Sequence, residues 1–443
     1  MIMPFPKNFV WGAATSSYQI EGAALEDGRG ECIWHRFTHT PGKIKDATNG
    51  DIACDHYHRY ADDVALMKQL GLQAYRFSVS WPRVLPTGVG PQNPLGLDFY
   101  DRLVDELLAA GITPYVTLYH WDLPQALQDR GGWANPDSTA WFTDYAVLMA
   151  QRLGDRVQHW ITHNEPWVVS LLANWLGIHA PGLTDANTAY KVAHHVLISH
   201  GQAVQAMRPH LPGAEIGITL NMETALPATN SEADHQATHR FDGFFNRWFA
   251  DPVQKGHYPA DMVAILEPHL EGIDLSAISQ AAAPTDFLGI NYYSSKLVTD
   301  GEDNPLVHVA FVPNPRASRT GMDWEVWPDG LAQLLVRLQQ DYQPAKIYVT
   351  ENGSAYPDSE PSNGVVEDPD RTAYLNGHLQ AVETAIAEGA KVAGYFAWSL
   401  MDNFEWAEGY TQRFGIIHVD YATQTRTFKR SALTYQQMIA ANT

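Results

Sequence analysis

Cysteine is nearly missing from this sequence: Cys32 and Cys54 are the only two in 443 residues. Two thiols cannot build a disulfide framework or a cysteine-rich metal site, so reduced thiols and a cytoplasmic protein are expected. Basic residues are scarce as well. Twenty-nine Lys and Arg against 50 Asp and Glu give a formal net charge of −21. Such a surface repels a phosphate backbone, which excludes nucleic acid as an expected partner. No run of 18 apolar residues occurs, so no membrane span is expected. The opening residues lack the basic-then-apolar pattern of a secretion signal. No Ser/Gly-rich linker, low-complexity tract or short repeat divides the chain. Residues 1–443 are therefore expected to form one domain, a length within reach of a barrel with long insertions.

What is present is an alternation of two patterns, with 45% hydrophobic residues to fill a large core. Strand-like runs fall at 9–14, 73–79, 113–119, 158–165, 215–220, 286–292, 346–351 and 392–398. Helical spacing marks 57–70, 97–110, 139–153, 189–207, 330–341 and 371–388, several of them stopped by glycine. About eight βα units predict an α/β protein, a single (β/α)8 TIM barrel whose extended βα loops form a deep active-site pocket. A doubly wound open sheet is the alternative. The stretch 300–319, rich in Pro, Asn and charge, reads as a mobile loop.

Active sites of barrels sit at the C-terminal ends of the strands, and polar residues collect at those ends here. Arg76 lies in the second strand, and His120, Trp121 and Asp122 follow the third. Asn164 and Glu165 end the fourth, Asn221 follows the fifth, Asn291, Tyr292 and Tyr293 end the sixth, Glu351 ends the seventh and Trp398 the eighth. Two glutamates, from strands four and seven, should then face each other across the barrel mouth. A pair of opposed carboxylates suits glycosidic bond cleavage, in which one protonates the leaving oxygen while the other attacks or activates water. The motifs of other chemistries are missing: no Gly-x-Ser-x-Gly elbow, no phosphate-binding Walker loop, no His-Glu-x-x-His.

Histidines give no zinc spacing in this reading. His56 and His58 approach a helix, and His194 and His195 lie within one. His163-x-Glu165 lacks the paired cysteines of a zinc deaminase. No metal and no cofactor are expected. Most of the 14 tryptophans belong in a core. Trp121, Trp167, Trp398 and Trp406, however, adjoin strand ends or polar residues, where an indole face can stack on a sugar.

Three motifs in order bring a family into view. The run Phe9-Val10-Trp11-Gly12-Ala13-Ala14-Thr15-Ser16-Ser17-Tyr18-Gln19-Ile20-Glu21-Gly22, then Thr162-His163-Asn164-Glu165-Pro166, then Thr350-Glu351-Asn352-Gly353 resemble the signatures of glycoside hydrolase family 1, the β-glucosidase family. The resemblance implies a retaining, exo-acting β-glucosidase acting on small β-glucosides and oligosaccharides, with Glu351 as nucleophile and Glu165 as general acid/base. It implies Gln19, His120, Trp121, Asn164, Asn291, Tyr293, Trp398, Glu405 and Trp406 as sugar-binding positions and Trp324 as a wall of the leaving-group site. Arg76 and Tyr293 match groups beside the nucleophile that hold it ionised. Trp398-Ser399 matches a cis peptide of the family. Two positions depart, His163 where an apolar residue is common and Asp323 where glycine is usual, and both bear on aglycone fit. A 6-phospho-β-glycosidase, a transglycosylase of the same family and a sugar-binding protein without catalysis are the rivals. The first calls for cations near the sugar's 6-position, where this sequence offers Glu405.

Overall fold

Strands buried on both faces read as continuous apolar runs, and a sheet made only of such strands needs helices outside and a filled interior. In the computed structural model, which describes residues 5–442, the runs are β1 (Val10–Ala14), β2 (Ala74–Ser78), β3 (Thr113–Tyr119), β4 (His159–Asn164), β5 (Glu215–Asn221), β6 (Phe287–Asn291), β7 (Ile347–Asn352) and β8 (Val392–Trp398). All pair in parallel with their sequence neighbours. β8 closes onto β1, from Val10 opposite Gly394 to Ala14 opposite Trp398. Closure removes both edges that a doubly wound sheet would keep, so the barrel is the architecture.

The period of two in each strand divides the side chains between two cores. Ala74, Tyr115, Ile161, Phe287, Tyr348, Phe396 and Trp398 meet inside the barrel. Their alternates, among them Tyr75, Val116, Trp160, Ile218, Ile290, Val349 and Tyr395, pack outward with the helices in a second, larger cluster. The helices match the sequence pattern to within a few residues. All begin one to three residues earlier than the pattern predicts, three of them at a proline, Pro94, Pro328 and Pro369. Proline is favoured in the first turn, where its missing N–H costs nothing, and the periodic apolar residues start only after it.

The stretch 300–319 departs from expectation. Ser295–Asn304 and Val309–Val312 form an antiparallel hairpin that joins Thr224–Pro227 in a three-stranded sheet. One face of this small sheet is open to water, so charged residues such as Asp300 and Glu302 alternate along it and mask the strand pattern. Within the stretch, irregular backbone is confined to the residues after Val312 and to the turn of the hairpin. No helix among the described residues is long and apolar enough to cross a membrane.

Candidate active site

Strict alternation along β4 would put Asn164 on the same side as Thr162, away from the lumen. The register with β5 slips between Ile161 and Asn164, and the slip decides the site. Thr162 bonds His200 and His163 bonds Ser199, both in the helix Ala186–Met207, so two successive side chains face outward. Asn164 then turns inward. β7 does the reverse: its register slips between Val349 and Glu351, and Thr350 and Glu351 both point in while Asn352 bonds Tyr292 and Tyr395 behind the barrel. Such irregularities next to sites re-aim side chains. Each of the two glutamates thus comes after a break in strand register.

The inward groups form one hydrogen-bonded network. Arg76, fully buried, donates to Glu351 Oε1 (2.5 Å), the Thr350 carbonyl (3.1 Å), Thr117 Oγ1 (3.2 Å) and Asn164 Oδ1 (2.6 Å). Tyr293 donates its phenol proton to Glu351 Oε2 at 2.6 Å. Asn291 Nδ2 donates to Glu165 Oε1 (2.6 Å) and Asn164 Oδ1 (3.0 Å), while its own Oδ1 accepts from Thr350. Because Asn164 Oδ1 accepts two donors, its amide nitrogen faces His120 Nε2, 3.1 Å away. That nitrogen must then accept, which leaves the proton of a neutral His120 on Nδ1, a buried atom without a partner in the protein.

Burial pushes Glu165 up to about 8, helped by the charge of Glu351 and opposed by Asn291 and Arg76. Burial also raises Glu351, but there Arg76, Tyr293 and Asn291 all pull the other way. Two carboxyls that share one site keep one proton between them, and the cation places it on Glu165. Burial and the Arg76 charge drive His120 well below its usual range, so the imidazole is neutral.

A third carboxyl belongs to the segment that leaves β8 after the cis Trp398–Ser399 peptide. Gln19 Nε2 reaches Glu405 Oε2 (3.3 Å), Asn403 Oδ1 and the Phe404 carbonyl (both 3.0 Å), while Ser16 donates to Gln19 Oε1. Glu405 is partly open at its outer edge, yet burial and the Glu351 charge push it up to about 8. At neutral pH it therefore carries a proton and both donates and accepts.

Aromatic rings wall this space. His120 lies nearly parallel to Trp398 and Trp406, at 5.8 and 6.0 Å. Trp121 packs on Trp406 at 4.6 Å and donates from its indole to the Asn164 carbonyl. On the far side Tyr293, Trp324 and Phe414 form a triangle with centroids 5.3 to 6.1 Å apart. Trp167 stands apart, packed on Phe245.

All twelve expected site residues lie in this network or its walls, as does Arg76. Four supporting groups escaped the sequence reading: Ser16, Asn403, Trp34 and Phe414. The first two sit inside motif segments and could have been read there. Trp34, 4.5 Å from Trp406, and Phe414 carry no local signal. His163 proves irrelevant to the aglycone, since it stacks on Phe142 outside the barrel. Asp323 has φ +60°, which explains why glycine is usual there.

The family model for glycosyl hydrolase family 1 matches residues 1–443. The chain is 47% identical to β-glucosidase A of Acetivibrio thermocellus, covering 99% of this chain and 98% of that one. It is 45% identical to β-glucosidase A of Thermotoga maritima, covering 100% and 99%. A solved family 1 β-glucosidase from Thermotoga maritima superposes with a TM-score of 0.97 at 44% identity, covering 100% and 99%. The same organism's family 1 glycoside hydrolase, in complex with a cyclophellitol analogue described as a transition-state mimic, also gives 0.97 at 45% identity, covering 99% and 98%. By fold, site and sequence together, the chain belongs to glycosyl hydrolase family 1.

Proposed function

We propose that this protein is a retaining, exo-acting β-glucosidase in which Glu351 is the nucleophile and Glu165 the acid/base. The observation that carries the assignment is the unequal environment of the two carboxyls: Glu351 is bound by Arg76 and Tyr293, whereas Glu165 is raised to about 8. Glu351 attacks C1 of the terminal glucosyl unit as Glu165 passes its proton to the departing oxygen. The ester that forms cancels the Glu351 charge, and Glu165 loses one cause of its raised pKa. It then takes a proton from water, which attacks C1 from the face the leaving group vacated. Two inversions restore the β-anomer, and neither step needs a cofactor.

Asn291 supports direct attack over an intervening water. It bonds Glu165 and helps hold Glu351 ionised, so the two carboxyls share one small side chain as neighbour, in keeping with the ~5 Å separation of retaining enzymes. Gln19, His120, Asn164, Asn291 and Glu405 serve the sugar hydroxyls, Tyr293 borders the reacting carbon, and Trp121, Trp398 and Trp406 offer faces to the ring. Trp324 walls the leaving-group side. Small β-glucosides, oligosaccharides such as cellobiose, and β-galactosides or β-fucosides fit this reading. Glu405 and Gln19 offer no cation to pair a phosphate dianion at the 6-position, so burying one there is disfavoured. A single catalytic domain in the cytoplasm completes the proposal, supported by the two free, buried thiols. The test is Glu351→Gly with azide on an aryl β-glucoside. Turnover should vanish and return with azide as the α-glucosyl azide, while a β-azide product would remove Glu351 from the nucleophile's role.

A further inference from the structure

His35 and His39 are four residues apart at the end of the helix Ile33–Thr38, so they share one face. Their rings lie 4.3 Å apart, and Asp51 reaches both from the loop ahead of the next helix. His35 Nδ1 is 3.3 Å from Asp51 Oδ1, and His39 Nε2 is 3.1 Å from Asp51 Oδ2. One donor atom from each residue falls within 4.8 Å of the other two. His39 Nδ1 faces the His35 carbonyl at 2.7 Å and must donate to it. His39 Nε2 is thereby left as the ring atom that faces the carboxylate. His35 Nδ1 and Asp51 Oδ1 are both buried atoms that take part in no hydrogen bond. Two ring nitrogens and a carboxylate thus converge on one point, with His39 Nε2 at hydrogen-bond distance from Asp51 Oδ2 and the His35 Nδ1 and Asp51 Oδ1 atoms beside it unpartnered.

We propose that His35, His39 and Asp51 form a binding site for a divalent transition-metal ion of the zinc type. Zinc–ligand bonds of ~2.0–2.1 Å in a tetrahedron set neighbouring donors ~3.3–3.4 Å apart; each ring nitrogen lies about that far from one of the two Asp51 oxygens. Imidazole and carboxylate are the donor set such an ion selects over calcium or magnesium, which prefer oxygen alone. His39 is 42% and Asp51 35% exposed, which leaves an entry path and room for water as a fourth ligand. The ion would staple the helix Ile33–Thr38 to the loop at Asp51. That helix also carries Trp34, which packs on Trp406 at the wall of the pocket, so the staple fixes a part of the pocket that no hydrogen bond of Trp34 Nε1 anchors.

The test uses the full chain, stripped of metal and titrated with zinc chloride by calorimetry, and with cobalt chloride by visible spectroscopy. One saturable site is expected, with the strong d–d absorption of four-coordinate cobalt, and zinc should raise the unfolding temperature. His39→Gln and Asp51→Asn, both surface changes outside the catalytic network, should each weaken binding by at least ~10-fold and abolish the rise. Their turnover without metal should stay at the wild-type level. Equal affinity in wild type and both variants would place any binding elsewhere and overturn the proposal. So would the lack of a saturable site up to millimolar zinc.

Discussion

At the residue scale, each carboxyl of the pocket has a different duty because its neighbours differ. Glu165 holds the proton that a poor leaving group requires, so Glu165→Ala should cost much less on a dinitrophenyl glucoside than on cellobiose when glycosyl-enzyme formation is timed. Equal losses would take Glu165 out of the acid/base role. The basic limb of the wild-type kcat/KM profile should fall near pH 8, where Glu165 loses its proton, and that limb should be missing in the alanine variant. In the proposed reading Glu405 faces the sugar instead of the scissile bond. Glu405→Ala should lose about 0.5–1.5 kcal/mol of transition-state stabilisation on glucosides, the usual net worth of a hydrogen bond between uncharged groups. The loss should shrink on a xyloside, which has no 6-hydroxyl. Comparing kcat/KM for the two sugars in both proteins decides whether Glu405 reads that position.

At the element scale, the segment between β8 and the last helix is held by a buried charge cluster. Asp402 accepts from Lys429 (2.7 Å), Arg413 (2.7 Å) and the Gly415 backbone (3.0 Å), and Lys429, fully buried, also reaches Asp358 at 2.7 Å. Removing one partner strands the others. Lys429→Met should destabilise the fold by about 3–5 kcal/mol in urea unfolding, and it should also raise KM, since Glu405 and Trp406 ride on the same segment. A stable variant with unchanged KM would show that the cluster supports neither. Elements of this kind differ in how far sequence reveals them. β4 and β7 were legible because an apolar run stops at a polar residue and a turn former, Glu165-Pro166 and Asn352-Gly353. Gly353 is needed there, for any side chain would collide with the Trp398 carbonyl. The register slips that aim Asn164 and Glu351 inward were not legible, because they exist only against the neighbouring strands. The same holds for Gln19 with Asn403, 384 residues apart: resemblance named Gln19, but no local pattern could pair the two. The hairpin within 295–312 hid for the opposite reason, its exposed face having the composition of a loop.

At the scale of the whole molecule, the site is maintained against the stability of the fold. A carboxyl whose pKa is raised on folding favours the folded state only while it is protonated. Glu165 moves from 4.5 to about 8, so its stabilising share is complete below about pH 4.5 and drains away as pH rises toward 8. Across that window the unfolded chain releases a proton that the folded chain keeps, at a limiting slope of ~1.4 kcal/mol per pH unit. Glu165→Gln removes the titration while keeping an oxygen to accept from Asn291. It also leaves Glu351 alone beside Arg76, free of a competing carboxyl. The variant should therefore match wild type in unfolding free energy near pH 5 and exceed it by about 1 kcal/mol or more near pH 8, despite losing activity on cellobiose. Urea unfolding of both proteins at several pH values between 5 and 8 measures the difference directly. A difference that stays flat with pH would mean that Glu165 titrates normally in the folded protein, and the assignment of the shared proton to Glu165 would fall with it.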